Sequence, residues 1–364
     1  MGLVVAYQNF EQGYATSHER ATCNELARRL AALKGFEFAG DHDPSAEYPG
    51  RLYFVPRRTL VNVDGIGEFG IASEDDLFGG LVPHAFAASK AITHPLLHED
   101  APAPSGWSHE FPERVRDVVL GGYSVFDAAD ALAAGQRLLR EGPIRLKLVR
   151  GVGGRGQRLV ASRDELESAL DEIDPDELFS HGLVIEENLE EVVTHSVGQI
   201  RVADLFASYC GTQRLTADNT GTEVYGGSDL LVARGGFEAL LALDLPDSAR
   251  VAIAKARLYD AAAAKCFSGF FASRRNYDVA RGVGFGAQAR CGVLEQSWRM
   301  GGASGAEIAA LEAFRADPDL RSVHASTVEV YGDGAEPPAG AMVYFRGIDD
   351  KVGAILKYAL VERR

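Results

Sequence analysis

The feature that most restricts this chain is a run of glycines, Gly151 to Gly156, leading out of one strand-like stretch and into another. Arg150-Gly151-Val152-Gly153-Gly154-Arg155-Gly156 satisfies the G-x-G-x-x-G spacing associated with dinucleotides. That use requires the loop to open a helix, so that the pyrophosphate sits on a helix N-terminus. Here the loop opens Gln157 to Ala161, which is strand-like, and a helix is predicted only after Ser162. The oxidoreductase reading therefore ranks last. No Gly-Lys-Ser/Thr closes the loop, which excludes a Walker-type phosphate loop as well. The glycines join two strands of a hairpin, and such a hairpin can fold over phosphates as a flap with its N–H groups aimed at the oxygens. Charge placement agrees. Between Gly142 and Arg163 stand Arg145, Lys147, Arg150, Arg155, Arg158 and Arg163 with no acidic residue, in a chain of net charge −15. On a strand Arg145, Lys147 and Val149 share one face and Leu146 and Leu148 the other, so Lys147 is free to reach a phosphate. A surface hairpin with solvated arginines is the plain alternative.

A second constellation follows in Arg274-Arg275-Asn276-Tyr277-Asp278, the glycines Gly282, Gly284 and Gly286, and Glu295-Gln296-Ser297-Trp298-Arg299. This reads as two antiparallel strands, with Arg274, Asn276 and Asp278 on one face of the first and Glu295, Ser297 and Arg299 on one face of the second. If those faces coincide, two carboxylates converge and repel, and a hard oxygen-seeking cation such as Mg²⁺ relieves the repulsion. The same ion bridges nucleotide phosphates, which would tie this centre to the hairpin. A cross-strand ion pair of arginine with Asp278 or Glu295 is the plain alternative.

The rest of the chain bounds the answer. Its 364 residues suit two or three domains. The scattered Cys23, Cys210, Cys266 and Cys291 form no metal-ligand spacing and no disulfide framework. A surface this acidic repels nucleic acid. No uncharged apolar run reaches the roughly 18 residues that span a bilayer, and Met1 to Tyr7 reads as a first strand rather than a secretory signal. A soluble, cytoplasmic protein is expected. Strands are predicted at Leu3–Tyr7, Leu52–Val55 and Leu60–Val63, with a helix over Ser17–Leu33; together they make a small α/β unit. His98 to Pro112 is the best linker candidate, Ser124-Val-Phe-Asp127 and Ser162-Arg-Asp-Glu165 resemble capping boxes, and the second half reads as a large antiparallel sheet interrupted by a helix near Ser248–Cys266. His84, His94 and His98 lack a ligand-like context and are read as structural or surface residues, and no Ser–His–Asp or Cys–His set stands out.

The order of these parts resembles the ATP-grasp superfamily over roughly Lys90 to Arg299: a lysine strand, a glycine hairpin, an apolar strand ending in glutamates, then Asp followed by Glu-x-Ser-x-Arg. The runs Arg-Gly-Val-Gly-Gly-Arg-Gly-Gln, Ser-Arg-Arg-Asn-Tyr-Asp-Val and Leu-Glu-Gln-Ser-Trp-Arg are similar to those of a bacterial ATP-grasp-like family of unknown function. The resemblance implies an α+β ATP-grasp fold, two α+β subdomains holding nucleotide between them, preceded by a small α/β domain. Expected boundaries are 1–100, 101–190 for the lid subdomain, and 191–364 for the subdomain with the metal and substrate site. It implies that Lys147, and Lys90 before it, hold phosphates, that Gly151, Gly153, Gly154, Arg155, Gly156 and Gln157 form the flap, and that Glu186, Glu187, Asn188 and Leu189 form the adenine and ribose hinge. Asp278 and Glu295 match the metal-binding carboxylates, with Ser297 where an Asn is usual. Arg275 or Arg299 would stabilise the transferring phosphoryl group. The implied cofactors are ATP and Mg²⁺ (or Mn²⁺). The implied activity is a ligase that activates a carboxylate as an acylphosphate and passes it to an amine or thiol, with small-molecule partners, no nucleic acid, no membrane and room for a homodimer. A phosphotransferase on the same fold is the second expectation, and a non-catalytic nucleotide-binding protein the third.

Overall fold

The computed structural model describes residues 2–7, 17–62, 69–151 and 156–363. The chain opens with β1 (Leu3–Tyr7), α1 (Ser17–Lys34), β2 (Glu37–Asp41) and β3 (Leu52–Pro56). β1 runs parallel between β2 and β3, and α1 is the crossover that parallel pairing requires. Leu26, Ala27, Leu30 and Ala31 recur at helical spacing and are all buried. Gly35 (φ +67°) then ends the helix. β4 (Leu60–Val61) and β5 (Gly80–Val82) follow, then two 3-10 turns, Ala85–Ala88 and Lys90–Thr93, and α2 (Glu110–Val115).

The expected linker is not one. Ala101, Phe111 and Pro112 are buried, and Trp107 packs against Phe86 and Phe126. Its Pro, Ser and Asp content rules out regular structure over most of the stretch, but not packing.

A four-stranded antiparallel sheet comes next, built from β6 (Gly122–Val125), α3 (Ala128–Leu138), β7 (Ile144–Leu148), β8 (Gln157–Val160), α4 (Arg163–Asp171), α5 (Pro175–His181) and β9 (Leu183–Glu187), in the order β6-β9-β7-β8. Its core gathers Val125, Ala134, Leu146, Leu166 and Ile185. Ser162 caps α4 as predicted, its hydroxyl accepting from Glu165 N at 3.3 Å. The other predicted cap is corrected: Asp127, not Ser124, caps α3 and accepts from Asp130 N at 2.9 Å. Ser124 faces inward instead and donates to the Ala91 carbonyl.

The second half is β10 (Glu190–Val202), β11 (Leu205–Ala217), β12 (Glu223–Arg234), α6 (Phe237–Leu241), α7 (Asp247–Cys266), β13 (Phe271–Ala272), β14 (Arg274–Val283), β15 (Ala289–Ser297), α8 (Ser304–Ala316), β16 (Ser322–Tyr331), β17 (Met342–Asp349) and β18 (Gly353–Arg363). Its large antiparallel sheet has the order β15-β14-β10-β11-β12-β16-β18-β17. Period-two alternation gives it two buried faces. Val197, Tyr277, Val279 and Val293 pack under α7, while Ile200, Tyr209, Leu230 and Val232 pack with α8 and the first α/β unit. These cores group the chain differently from cuts at residues 100 and 190. Residues from Val82 to Val119 join the core beneath α7, and the first unit shares one core with α8 and the large sheet. No described helix is long and apolar enough to cross a membrane, and all four cysteines are free.

Candidate active site

β14 and β15 pair with Asp278 opposite Glu295 and Asn276 opposite Ser297, so the two predicted faces coincide. Asp278 Oδ1 accepts from Gln213 Nε2 (2.8 Å) and Asn276 Nδ2 (3.0 Å), with the Ser196 hydroxyl at 3.5 Å. Its Oδ2 has no hydrogen bond among the described residues. Burial, and then the nearby Glu295 charge, push the Asp278 carboxyl up to about 6. Two carboxylates held side by side in this way repel each other, and a cation between them would relieve the repulsion.

Asp278 and Glu295 fit Mg²⁺ or Mn²⁺. Both offer hard oxygens, and one oxygen of Asp278 is left free while the other is tethered. Ser297 fits poorly, because its hydroxyl accepts from Arg274 Nη1 at 3.2 Å and so already faces a cation. The described residues hold no cluster of three or more His, Cys, Asp or Glu side chains suited to a metal. A two-carboxylate site therefore relies on water and substrate oxygens for its other ligands, as is usual for Mg²⁺.

One lysine joins this centre to the glycine hairpin. Lys90, buried in its 3-10 turn, places Nζ 3.1 Å from Glu295 Oε2 and donates to the Gly151 carbonyl at 2.8 Å. Four residues on, His94 Nε2 lies 3.1 Å from Glu186 Oε2, and the other oxygen of Glu186 pairs with Lys147 Nζ. Burial pushes the Glu186 acid up, but Lys147 and His94 overcome that and bring it down to about 2. His94, expected to be a structural or surface residue, is instead buried beside Glu186 and Lys147. Gln296 fixes the turn that carries Lys90: its Nε2 donates to the Ala87 (3.0 Å) and Ser89 (2.7 Å) carbonyls, and its Oε1 accepts from Tyr259 at 2.9 Å.

The hairpin strands β7 and β8 are in place, with Lys147 opposite Gln157 and the Gly156 carbonyl accepting from Leu148 N at 2.9 Å. Gly156 has φ +71°, which a side chain would resist. Gly153, Gly154 and Arg155 lie outside the described residues. The reversal of charge around the hairpin is partly cancelled by acidic residues on and beside α4: Arg158 pairs with Glu172 at 2.9 Å and Arg163 with Glu167 at 2.7 Å.

At the expected hinge both glutamates are engaged. Glu187 Oε1 accepts from Gly121 N (2.9 Å) and from the Arg290 guanidinium (2.7 Å), and Glu186 holds Lys147 and His94. Asn188 Oδ1 accepts from Arg145 at 2.7 Å, and Leu189 is buried. The side chains here are committed to shaping the hinge, and its backbone is tied in as well, with Glu187 N donating to the Gly121 carbonyl at 2.8 Å and Asn188 N to the Pro143 carbonyl at 3.0 Å.

The three arginines part company. Arg274 is buried in an ion pair with Glu307 at 2.7 Å, which keeps it charged against the cost of burial. Arg275 does not join the carboxylates: β14 turns it to the α7 face, where it lies 3.5 Å from Asp260 and over the Phe270 ring. Arg299 follows the end of β15, donates to the Met300 carbonyl at 2.8 Å and has no ion-pair partner among the described residues. Burial and the neighbouring Arg274 and Arg58 lower its pKa, while Glu295 and Asp278 pull the other way. Arg299 and Lys90 are thus the cations that the described residues set beside the carboxylate centre.

Gly301 and Gly302 lead into α8, and a Cβ on Gly302 would lie 2.5 Å from the Tyr225 ring. The Tyr225–Ser228 stretch is a bulge, as its glycines suggest, with Gly227 at φ +141°. Sequence reasoning placed Ser196 and Gln213 on strands beyond the hinge without linking them to Asp278, and it gave no role to Tyr209 or Glu307. Each sits on a different element from the motifs, and no local spacing announces it.

Comparisons with known proteins agree with the architecture. A family model described as "Protein of unknown function (DUF3182)" matches residues 5–359. No curated protein matches the sequence. The fold is similar to that of N5-carboxyaminoimidazole synthase from Aspergillus clavatus in complex with ADP and 5-aminoimidazole ribonucleotide (15% identity, TM-score 0.50, 99% of this chain and 94% of that chain). It is similar to N5-carboxyaminoimidazole synthetase from Staphylococcus aureus complexed with ADP (12%, TM-score 0.51, 99% and 93%). It is also similar to the biotin carboxylase–β,γ-ATP complex from Campylobacter jejuni (11%, TM-score 0.51, 100% and 87%). All three are ATP-grasp enzymes, and this chain has the ATP-grasp fold.

Proposed function

We propose that this chain, which belongs to the DUF3182 family, is an ATP-dependent ligase that activates a small-molecule carboxylate as an acylphosphate and transfers the acyl group to an amine or thiol. The observation that carries the reading is the Lys90 ammonium, shared between the Gly151 carbonyl and Glu295, which makes the hairpin and the carboxylate pair parts of one site.

Lys90 and Lys147 are the groups that would hold phosphate oxygens, each now occupied by a carboxylate or carbonyl that a phosphate would replace. Adenine would lie beside the hinge at Glu186 to Leu189. Asp278 and Glu295 would hold Mg²⁺ (or Mn²⁺), which supplies neutralisation of the phosphate charge. In the first step a substrate carboxylate oxygen attacks the terminal phosphorus, and the bond to the bridging oxygen breaks with its electron pair leaving on ADP. Arg299 stabilises the charge spread over the transferring group. The amine or thiol then attacks the acyl carbon and loses its proton, and phosphate departs with the C–O electron pair. No enzyme nucleophile is needed; positioning and charge neutralisation suffice.

The test is thermal denaturation with ADP or ATP, with and without Mg²⁺, on wild type, Lys147→Ala and Glu295→Ala. Ligand at about 100 times its dissociation constant stabilises by roughly 2.7 kcal/mol. The expected result is a Mg²⁺-dependent shift in wild type that is lost in Lys147→Ala and reduced in Glu295→Ala. No shift in folded wild type overturns the reading. Hydroxylamine with candidate acids then separates chemistries: a ligase yields a hydroxamate, a kinase acting on hydroxyls does not.

A further inference from the structure

Glu307 is fully buried on α8, among Ala306, Ile308, Ala309 and Ala310, and it is paired there with the equally buried Arg274 at 2.7 Å. Its carboxylate accepts from Arg274 Nε at 3.0 Å and Nη2 at 2.7 Å, and the Tyr209 hydroxyl lies 2.6 Å away. A buried ion pair is commonly no more stable than apolar residues of the same volume, so its presence in an alanine-rich helix asks for a purpose.

Each partner leads to one of the two carboxylates. Arg274 Nη1 donates to the Ser297 carbonyl (2.9 Å) and the Arg299 carbonyl (2.6 Å). The β14–β15 ladder stops at the Asn276–Ser297 pair, so Arg274 continues the attachment past the last rung, where the chain carrying Glu295 runs on to Arg299. On the other side the Tyr209 hydroxyl shares its single proton between Glu307 Oε1 at 2.6 Å and Asn276 Oδ1 at 2.9 Å, and Asn276 Nδ2 donates to Asp278 Oδ1 at 3.0 Å. Glu307 touches both arms.

We infer that Glu307 is a positioning residue for the carboxylate pair, holding the Glu295 strand through Arg274 and the Asp278 carboxylate through Tyr209 and Asn276. The inference rests on reading Asp278 and Glu295 as the cation-binding pair. Groups that orient metal-binding side chains typically account for about 10–100-fold in metal affinity.

The experiment is calorimetric titration of the full chain with ADP, with Mn²⁺ and separately with EDTA, on wild type, Arg274→Met/Glu307→Leu and Tyr209→Phe. The double variant replaces the ion pair by apolar side chains of similar length, and Tyr209→Phe removes one hydroxyl, so at least one folded variant is in hand. The expected result is a loss of about 10-fold or more in Mn²⁺-dependent ADP affinity in the double variant and a smaller loss in Tyr209→Phe. Metal-free ADP affinity stays within about twofold in both, whereas a merely structural role would move neither value in a folded protein. Folded variants with wild-type Mn²⁺ dependence overturn the inference alone. A wild type whose ADP binding ignores Mn²⁺ overturns the cation reading, and the inference with it.

Discussion

Asp278 is ionisable where ionisation is unfavourable, and the sign of its effect on stability follows from that. Burial and Glu295 raise its pKa from 3.8 to about 6, so the native state holds a proton that the unfolded chain releases. Stability therefore falls as pH rises between these values, and the full penalty is present above pH 6. Asp278→Asn removes the charge and keeps an oxygen for Gln213 and Asn276. The ligand-free variant is expected to be more stable than wild type at pH 7.5 by on the order of 2 kcal/mol, with the gain gone below about pH 4. Urea denaturation at the two pH values checks it, and an equal effect at both would contradict the raised pKa. Mg²⁺-dependent ADP binding should be lost in the same variant, stability gained where function is removed. Glu186 has the opposite sign. Its acid is lowered from 4.5 to about 2, so its contribution is present above pH 4.5 and is lost as pH falls toward 2. Glu186→Gln leaves Lys147 buried without its carboxylate, at a cost of about 3–5 kcal/mol near neutrality. The difference from wild type should shrink in acid denaturation; a constant difference would place the damage in packing instead.

At the scale of elements, the segment between Lys90 and Gly122 does the joining. A Cβ on Gly122 would lie 2.7 Å from the Ile185 carbonyl oxygen and 2.9 Å from the His94 ring. Gly122→Ala is therefore expected to push β6 from β9 and His94 from Glu186, at a cost of about 1–3 kcal/mol. It should weaken ADP binding with and without metal, because the damage lies on the hinge and lysine side rather than at Asp278. Chemical denaturation and titration measure the two effects separately, and a variant with wild-type stability would show that the contact is not tight. Much at this scale was legible in sequence. The strand–hairpin–strand around Gly151 to Gly156, the helix over Asp247–Cys266 and the shared strand face of Asn276 and Asp278 follow from hydrophobic period and turn chemistry, whereas the meeting of Asp278 with Glu295 was conditional in sequence and is set by the β14–β15 register. The linker reading of residues 98–112 failed because Pro and Asp report the lack of repeating hydrogen bonds and are silent on burial. Ser124 failed as a cap because Asp127, three residues on, satisfies the same pattern and Ser124 had a buried carbonyl to meet.

Over the whole molecule, the first α/β unit is not energetically separate. Leu30 and Tyr53 share a core with Ala306 and Tyr209, whereas the β6–β9 sheet with α3 and α4 has a core of its own. Calorimetry is expected to melt the first unit and the large sheet together, and a fragment of residues 1–100 should not fold alone. The β6–β9 sheet should exchange its amides faster than the large sheet in the free protein and become protected by ADP with Mg²⁺. Uniform exchange across the two sheets, unchanged by ADP, would argue that they form one rigid unit.

What the sequence determined by itself is whatever depends on near neighbours along the chain. It sets that the glycines link strands, that Lys147 faces away from the hairpin core, and that Asp278 shares a face with Asn276 and Arg274. The same alternation turns Arg275 away, so its exclusion from the carboxylate centre was already written there. Which cation meets which carboxylate was decided only by tertiary structure. Arg274 finds Glu307, Lys147 finds Glu186 with His94 behind it, and Lys90 finds Glu295, each across elements distant in sequence. Period and propensity fix the direction of a side chain relative to its own strand or helix. The identity of its partner depends on how the layers stack, because a buried charge takes whichever opposite charge the packed core brings within reach.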